Sequence, residues 1–238
     1  MRFLFFIALL VCCNNTNTFA QQVAQNYKGT YTVPFEYDHL LFTPTNKVHQ
    51  NKSGKLPLIV FLHGAGERGT DIQKVKVHGP PKIAEQDTDF PFMVLSPQCL
   101  KNQRWDARAL SELLDHIIAN QPVDSSRIYL TGLSMGGQGV YDLAMLRPNT
   151  FAAIAPICGG DYMHAYSAGI IKHLPIWVFH GAMDEVVPLD NSVRIVKALK
   201  SLEANVQFTI YPMAGHDSWT ETYLNENLYT WFLNCRKK

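Results

Sequence analysis

Apolar residues along the chain fall into two alternating kinds of stretch. Short, mostly apolar runs occur at 56–62 (Leu-Pro-Leu-Ile-Val-Phe-Leu), 92–95, 127–130, 151–157, 176–179 and 206–211. Runs without a polar face suit strands that are covered on both sides, as in a parallel sheet. Between them lie stretches of helical period at 107–120, 135–146, 191–203 and 218–233. In the first of these, Leu110, Leu113, Leu114, Ile117 and Ile118 share one face. Strand and helix in alternation predict an α/β fold, a doubly wound and mostly parallel sheet in one domain. Ahead of it, residues 29–37 and 40–43 alternate and are interrupted by Pro34 and Pro44. They predict an antiparallel edge hairpin, closed by the polar segment 45–55. Segments 64–91 and 159–174 show no clear element, and functional loops are expected at strand ends of such a sheet.

The first twenty residues break this rhythm. Met1-Arg2 is a short positive start, 3–13 is apolar, and Thr18-Phe19-Ala20 ends on a small residue. That pattern predicts a secretory signal cleaved after Ala20, leaving 21–238 as the mature chain. The apolar run is too short to span a bilayer, and no later run approaches that length. Loss of Arg2 leaves 20 basic residues against 20 acidic ones. A balanced charge suggests neither nucleic acid nor an anionic membrane as partner. Beyond residue 20 the cysteines are Cys99, Cys158 and Cys235, an odd number that leaves at least one thiol unpaired. Cys158, within Ile-Ala-Pro-Ile-Cys, reads as a small buried apolar residue. No spacing of Cys, His or carboxylates resembles a metal motif, so neither metal nor cofactor is expected.

Candidate chemistry centres on Gly132-Leu133-Ser134-Met135-Gly136. It follows an apolar run and opens a helical stretch, the setting of a nucleophile elbow. A hydroxyl is a poor nucleophile at neutral pH, so Ser134 needs a base, and the base needs an orienting acid. Asp184, just past the run at 176–179, and His216, just past the run at 206–211, follow in the order such sheets use. Glu185 and Asp217 are weaker rivals for the acid, and Asp217 is badly placed for orienting the ring next to it. His63 and His180 each precede a glycine at a strand end, where hydrogen bonding to loop backbone is the expected role. An oxyanion needs two N–H donors. One is expected at Met135 and the other in His63-Gly64-Ala65-Gly66, at Ala65 ahead of Gly64. Glu67 and Arg68 are expected to form an ion pair beneath that loop. Trp105 and Trp219 are candidates for a substrate-pocket wall, with burial in the core as the alternative.

The stretch LIVFLHGAGERGTD at 58–71, Ser-Pro-Gln-Cys at 96–99 with Trp105 beyond it, GLSMGG at 132–137 and HGAMDEVVP at 180–188 together resemble the α/β-hydrolase superfamily. They are similar to its secreted, cap-less esterases and predicted peptidases, akin to polyhydroxybutyrate depolymerases, dienelactone hydrolases and feruloyl or acetylxylan esterases. The resemblance covers roughly 57–233. It implies an α/β-hydrolase fold with little or no cap, Ser134, Asp184 and His216 as triad, and Ala65 and Met135 as oxyanion donors. Dienelactone hydrolases carry cysteine where this chain has Ser134.

These residues point to a secreted serine hydrolase of carboxylic esters that works through an acyl-enzyme. The expected partner is a small-molecule or polysaccharide ester, with acetyl or feruloyl esters of plant cell wall as the favoured class. Two other readings stay open at this level: a serine peptidase of the prolyl-oligopeptidase type, and a non-catalytic binding protein on a hydrolase scaffold.

Overall fold

The structure, a computed structural model, describes residues 35–45 and 48–237. The expected leader 1–20, its cleavage point and residues 29–34 of the expected hairpin lie outside the described residues. Strands β1 (His39–Phe42), β2 (Leu56–Leu62), β3 (Met93–Pro97), β4 (Val123–Leu133), β5 (Ala153–Ile157), β6 (Ile176–Gly181) and β7 (Val206–Tyr211) form one sheet. Its order is β1-β3-β2-β4-β5-β6-β7. Among the described strands only β1 runs antiparallel, paired with β3 in the register His39 to Pro97 and Phe42 to Val94. The first strand is therefore an edge strand on β3, and Phe35 to Asp38 before it is not strand. Among the described residues, the run at 40–43 pairs with a strand more than 50 residues later, and 35–37 of the expected first arm is not strand.

Helices are α1 (Gly79–Gln86), α2 (Ala107–Asn120), α3 (Met135–Leu146), α4 (Tyr162–Tyr166), α5 (Leu189–Ser201), α6 (Trp219–Leu224) and α7 (Glu226–Asn234). Alternate residues of β2 explain why its sequence lacks a polar face. Leu58, Val60 and Leu62 enter one core with Leu110, Leu113 and Leu114 of α2, Val140 and Leu143 of α3, and Ile195 and Leu199 of α5. Ile59 and Phe61 enter a second core with Ala84 of α1, Tyr223 of α6, and Leu228 and Phe232 of α7. Burying each such side chain contributes about 1.5–3 kcal/mol, so both faces hold the sheet.

Local chemistry sets the helix ends. The Asp106 carboxylate accepts the N–H groups of Arg108 and Ala109 and starts α2. The stretch 218–233, read as one helix, is two. Asn225 ends α6 in an extended conformation and its side chain accepts Asn227 N–H to start α7. The segments without a clear pattern also hold structure: a 3₁₀ turn at Ile72–Val77 and α1 in one, and α4 with a 3₁₀ turn at Ala168–Ile171 in the other. Asp161 and His164 close a capping box around α4, which is too short to show a hydrophobic period of its own.

The chain leaves β2 toward β3 on one side and returns to β4 on the other. Loops from adjacent strands thus diverge at the β2–β4 boundary, the crevice where open α/β sheets bind ligands. No helix among the described residues is long and apolar enough to cross a membrane.

The elbow depends on glycine at one position above all. A methyl group on Gly136 would overlap the carbonyl oxygen of Leu62 at the end of β2, whereas one on Gly66 would meet nothing within 4 Å. We expect Gly136→Ala to destabilise the fold by about 1–3 kcal/mol or more, and Gly66→Ala to stay within about 0.5 kcal/mol of the parent. Urea unfolding of the two variants checks both.

Candidate active site

Ser134 sits between β4 and α3 at φ 53° and ψ −116°, a conformation that side chains avoid. Three constraints hold it there. Its N–H donates to Ile157 O of β5 at 2.9 Å, the N–H of Gln138 donates to its carbonyl at 3.1 Å, and Gly136 packs on Leu62. A methyl on Gly132 would lie 2.6 Å from Leu62 O, so the same approach excludes side chains before the serine.

The structure brings Ser134, Asp184 and His216 together. Ser134 Oγ lies 2.9 Å from His216 Nε2, and His216 Nδ1 lies 2.8 Å from Asp184 Oδ2. A carboxylate accepts only, so Nδ1 carries the ring proton and Nε2 is left to accept from the serine hydroxyl. The side chain of His216 is part-exposed and that of Asp184 is buried. The two loops that carry them are knitted by backbone: Ala182 N–H donates to Tyr211 O at 2.9 Å and Met183 N–H to Ala214 O at 2.9 Å. A methyl on Gly181 would overlap Gly215 O, so β6 must end on glycine for the loops to meet.

Asp184 is held from every side. Its Oδ1 accepts the N–H groups of Val186 and Val187, each at 2.9 Å. Burial alone would push its carboxyl up, but the hydrogen bonds from His216, Val187 and Val186 outweigh that and hold it below the ordinary range. Its rivals are accounted for. Glu185 is exposed, and Asp217 accepts from Thr220 N and Oγ1 at 3.1 and 3.0 Å.

His180 does bond the loop backbone, as its position suggested: Nε2 lies 2.9 Å from Val187 O. The same nitrogen is also 3.2 Å from Asp184 Oδ2, while Nδ1 lies 2.8 Å from Ser192 Oγ. That contact with the acid was missed in the sequence, although the i, i+4 spacing to Asp184 was visible there. Burial moves His180 down, toward the neutral form.

On the oxyanion side, Gly64 N–H is committed to Glu67 Oε2 at 2.9 Å. Ala65 N–H makes no hydrogen bond among the described residues, and Met135 N–H is the first of α3, with no acceptor one turn back. Glu67 therefore orders the loop, and the expected Glu67–Arg68 ion pair is corrected. Arg68 donates instead to Ala65 O at 2.9 Å and to Gln103 O at 3.1 Å. Adjacent residues on a turn point apart, and backbone carbonyls were the nearer acceptors.

Trp105 borders a cavity with Asp106, Arg108, Asp142 and Met145 whose lining includes none of Ser134, Asp184 and His216. It is buried, its indole N–H donates to His63 O at 3.1 Å, and its ring stands edge-on to His63 at 4.7 Å. Trp219 stands edge-on to His216 at 5.1 Å and lines a small cavity with His78, Ile83 and Leu224. The three cysteines described are all free thiols. Cys158 is buried, as expected, and burial pushes its thiol up to about 12. Its sulfur, with ligand atoms of Asp184 and His216, forms the one cluster among the described residues where metal-ligating atoms all fall within 4.8 Å of each other. Burial keeps the thiol protonated, and the carboxylate is already bonded to the imidazole.

This geometry has counterparts. Residues 90–229, a span that holds Ser134, Asp184 and His216, match the family model described as Phospholipase/Carboxylesterase. The chain belongs to the phospholipase/carboxylesterase family of α/β hydrolases. Within that family setting it is 30% identical over 122 residues to Poly(3-hydroxyalkanoate) depolymerase C of Paucimonas lemoignei, covering 47% of this chain and 30% of that protein. It is 25% identical over 220 residues to "Probable feruloyl esterase C" of Aspergillus niger, covering 88% of this chain and 75% of the relative. Among solved structures, a thermostable esterase matches with TM-score 0.71 and 33% identity, over 85% of this chain and 60% of that one. The family chain described here thus spans less than two thirds of the depolymerase and of the thermostable esterase.

His63, under the oxyanion-side loop, accepts Cys99 N–H through Nε2 at 3.0 Å and donates through Nδ1 to Gly64 O at 2.6 Å. Burial holds its pKa near 4. The unfolded chain binds this proton at the ordinary histidine pKa near 6.5, so stability is complete above that pH. We expect stability to fall as pH drops from about 6.5 to 4, by about 3 kcal/mol from this group, and to stop falling on its account below 4. Urea unfolding across that range checks it, and His63→Gln should flatten the slope.

Proposed function

We propose that this chain is an exported hydrolase of carboxylic esters that uses Ser134 as nucleophile and passes through an acyl-enzyme. One observation carries the reading: the continuous hydrogen-bonded series from Ser134 Oγ through His216 to a buried Asp184. Family membership supports the reaction class. In this reading His216 Nε2 takes the hydroxyl proton as Ser134 Oγ attacks the ester carbonyl. The amides of Ala65 and Met135 stabilise the oxyanion, because they are N–H groups not yet committed to an acceptor. His216 then hands its proton to the leaving alkoxide, and later removes one from the water that releases the acid. Asp184 keeps the ring in the required tautomer and stabilises the imidazolium.

For the substrate we propose acyl esters of carbohydrates, with acetyl or feruloyl groups. The relatives named as feruloyl esterases support it, and so does the export expected from residues 1–20. The catalytic edge fits a bulky alcohol: only the five-residue α4 and one 3₁₀ turn separate β5 from β6.

A fluorophosphonate probe should label the protein and fail to label Ser134→Ala. Ester turnover should drop roughly 10⁴-fold or more in Ser134→Ala and in Asp184→Asn. An unlabelled parent protein refutes the nucleophile. A panel of acetylated and feruloylated oligosaccharides against aryl esters and aryl amides tests the substrate class: turnover confined to aryl esters, or amide turnover equal to ester turnover, refutes it.

For export, N-terminal sequencing of protein secreted by a host cell should read Gln21 first. A product that keeps Met1 refutes the cleaved leader.

A further inference from the structure

A second feature adjoins the oxyanion-side loop. A cavity of about 420 Å³ is lined by Ala65, Gly66, Arg68, Asp71, Lys74 and Lys101, among others. One wall is the loop after β2, the other the stretch after β3. The side-chain amide of Gln98, itself 1% exposed, pins them together by donating to Glu67 O at 2.7 Å and Asp71 O at 2.8 Å. Gly69 N–H donates to Cys99 O at 3.0 Å, and Arg68 reaches across to Gln103 O. The separation of the two walls is thus set by buried hydrogen bonds, and the cavity is a built feature of the fold.

Its charge is one-sided. Arg68, Lys74 and Lys101 contribute three cations against the single carboxylate of Asp71. None of the three takes part in an ion pair among the described residues, a state they share with several surface cations elsewhere, so it is their common cavity that sets them apart. A fourth cation, Arg104, follows on the same stretch and donates to Gln138 Oε1 at 2.7 Å, one turn into the helix that begins after Ser134. Three cations are thus gathered in one concave site that shares Ala65 with the proposed oxyanion donors. A cleft lined by one sign of charge focuses its field and raises the local concentration of the opposite ion.

We propose that this cavity is a subsite for a carboxylate on the substrate, so that the carbohydrate carrying the ester contains uronic acid residues. The proposal rests on the esterase reading and narrows its substrate class. Arg68 spends Nε and one terminal nitrogen on carbonyls and keeps further N–H donors for an anion, and the exposed Lys74 and Lys101 line the same cavity. Asp71 in the same wall repels a doubly charged phosphate more than a singly charged carboxylate. Ala65 is common to both sites, so a sugar whose carboxylate sits here presents a neighbouring acylated residue to Ser134.

The test uses Ser134→Ala protein, so that it reads binding without turnover. Trigalacturonic acid should bind more tightly than uncharged xylotriose by calorimetry at low salt. Lys74→Gln with Lys101→Gln should weaken it about three- to tenfold. The advantage should also shrink between 50 mM and 0.5 M salt, as screening requires. In an otherwise wild-type background the double variant should hydrolyse p-nitrophenyl acetate at the parent rate, since neither lysine belongs to the triad or the oxyanion donors. Equal binding of the two trisaccharides, a preference untouched by the double variant, or displacement by equimolar inorganic phosphate each overturns the subsite. Failure of the parent to hydrolyse p-nitrophenyl acetate counts against the esterase reading alone, because the binding comparison still decides the subsite.

Discussion

The catalytic edge depends on one backbone contact, the first turn of α3 lying directly against the end of β2. Gly136 touches the Leu62 carbonyl with no space for a methyl group, and Gly132 approaches the same oxygen from the strand side. This contact forces Ser134 into positive φ and raises its hydroxyl above the sheet. It also brings the loop after β2, with Ala65, beside the first N–H groups of α3. The proposed nucleophile and the proposed oxyanion donors therefore share one cause. The strain of about 1–3 kcal/mol typical of such a residue is small beside the two cores that clamp β2 and β4 from both faces.

The second constraint is the crowding of donors on Asp184. Two backbone N–H groups take one oxygen, and the imidazoles of His216 and His180 take the other. A buried carboxylate without them would be driven to protonate, and a protonated acid would no longer orient His216. Each donor comes from a different place: the Val186–Val187 turn, the end of β6 and the loop after β7. Asp184 is thus the point at which the two C-terminal strands of the sheet are tied, through His216, to Ser134. His180 is itself held by Ser192 of α5, so this tie extends into the helix layer.

Much of this was legible in the sequence because it depends on local rules. Runs apolar on both faces named six of the seven strands, and a clear hydrophobic period placed α2 and α3 at their observed bounds. The order Ser, Asp, His after successive strands put three residues on one edge. What was not legible depends on partners distant in sequence or on the choice among equivalent acceptors. The first described strand pairs with β3, more than 50 residues further along the chain. Glu67 takes an amide where a cation stood next to it in the chain. Trp105 spends its N–H on a buried carbonyl 42 residues away.

By itself, then, the sequence determined the layer architecture, the residues able to carry the chemistry and the edge of the sheet they occupy. Periodicity of 2 and 3.6 and the glycine requirement of a tight turn act over a few residues and need no knowledge of the rest. Only the tertiary structure decided which nitrogen faces which oxygen, which amides stay free for an oxyanion and which cations lack a counter-charge. Those outcomes turn on distances of a few tenths of an ångström between segments brought together by packing, and hydrogen bonds fall off steeply on that scale.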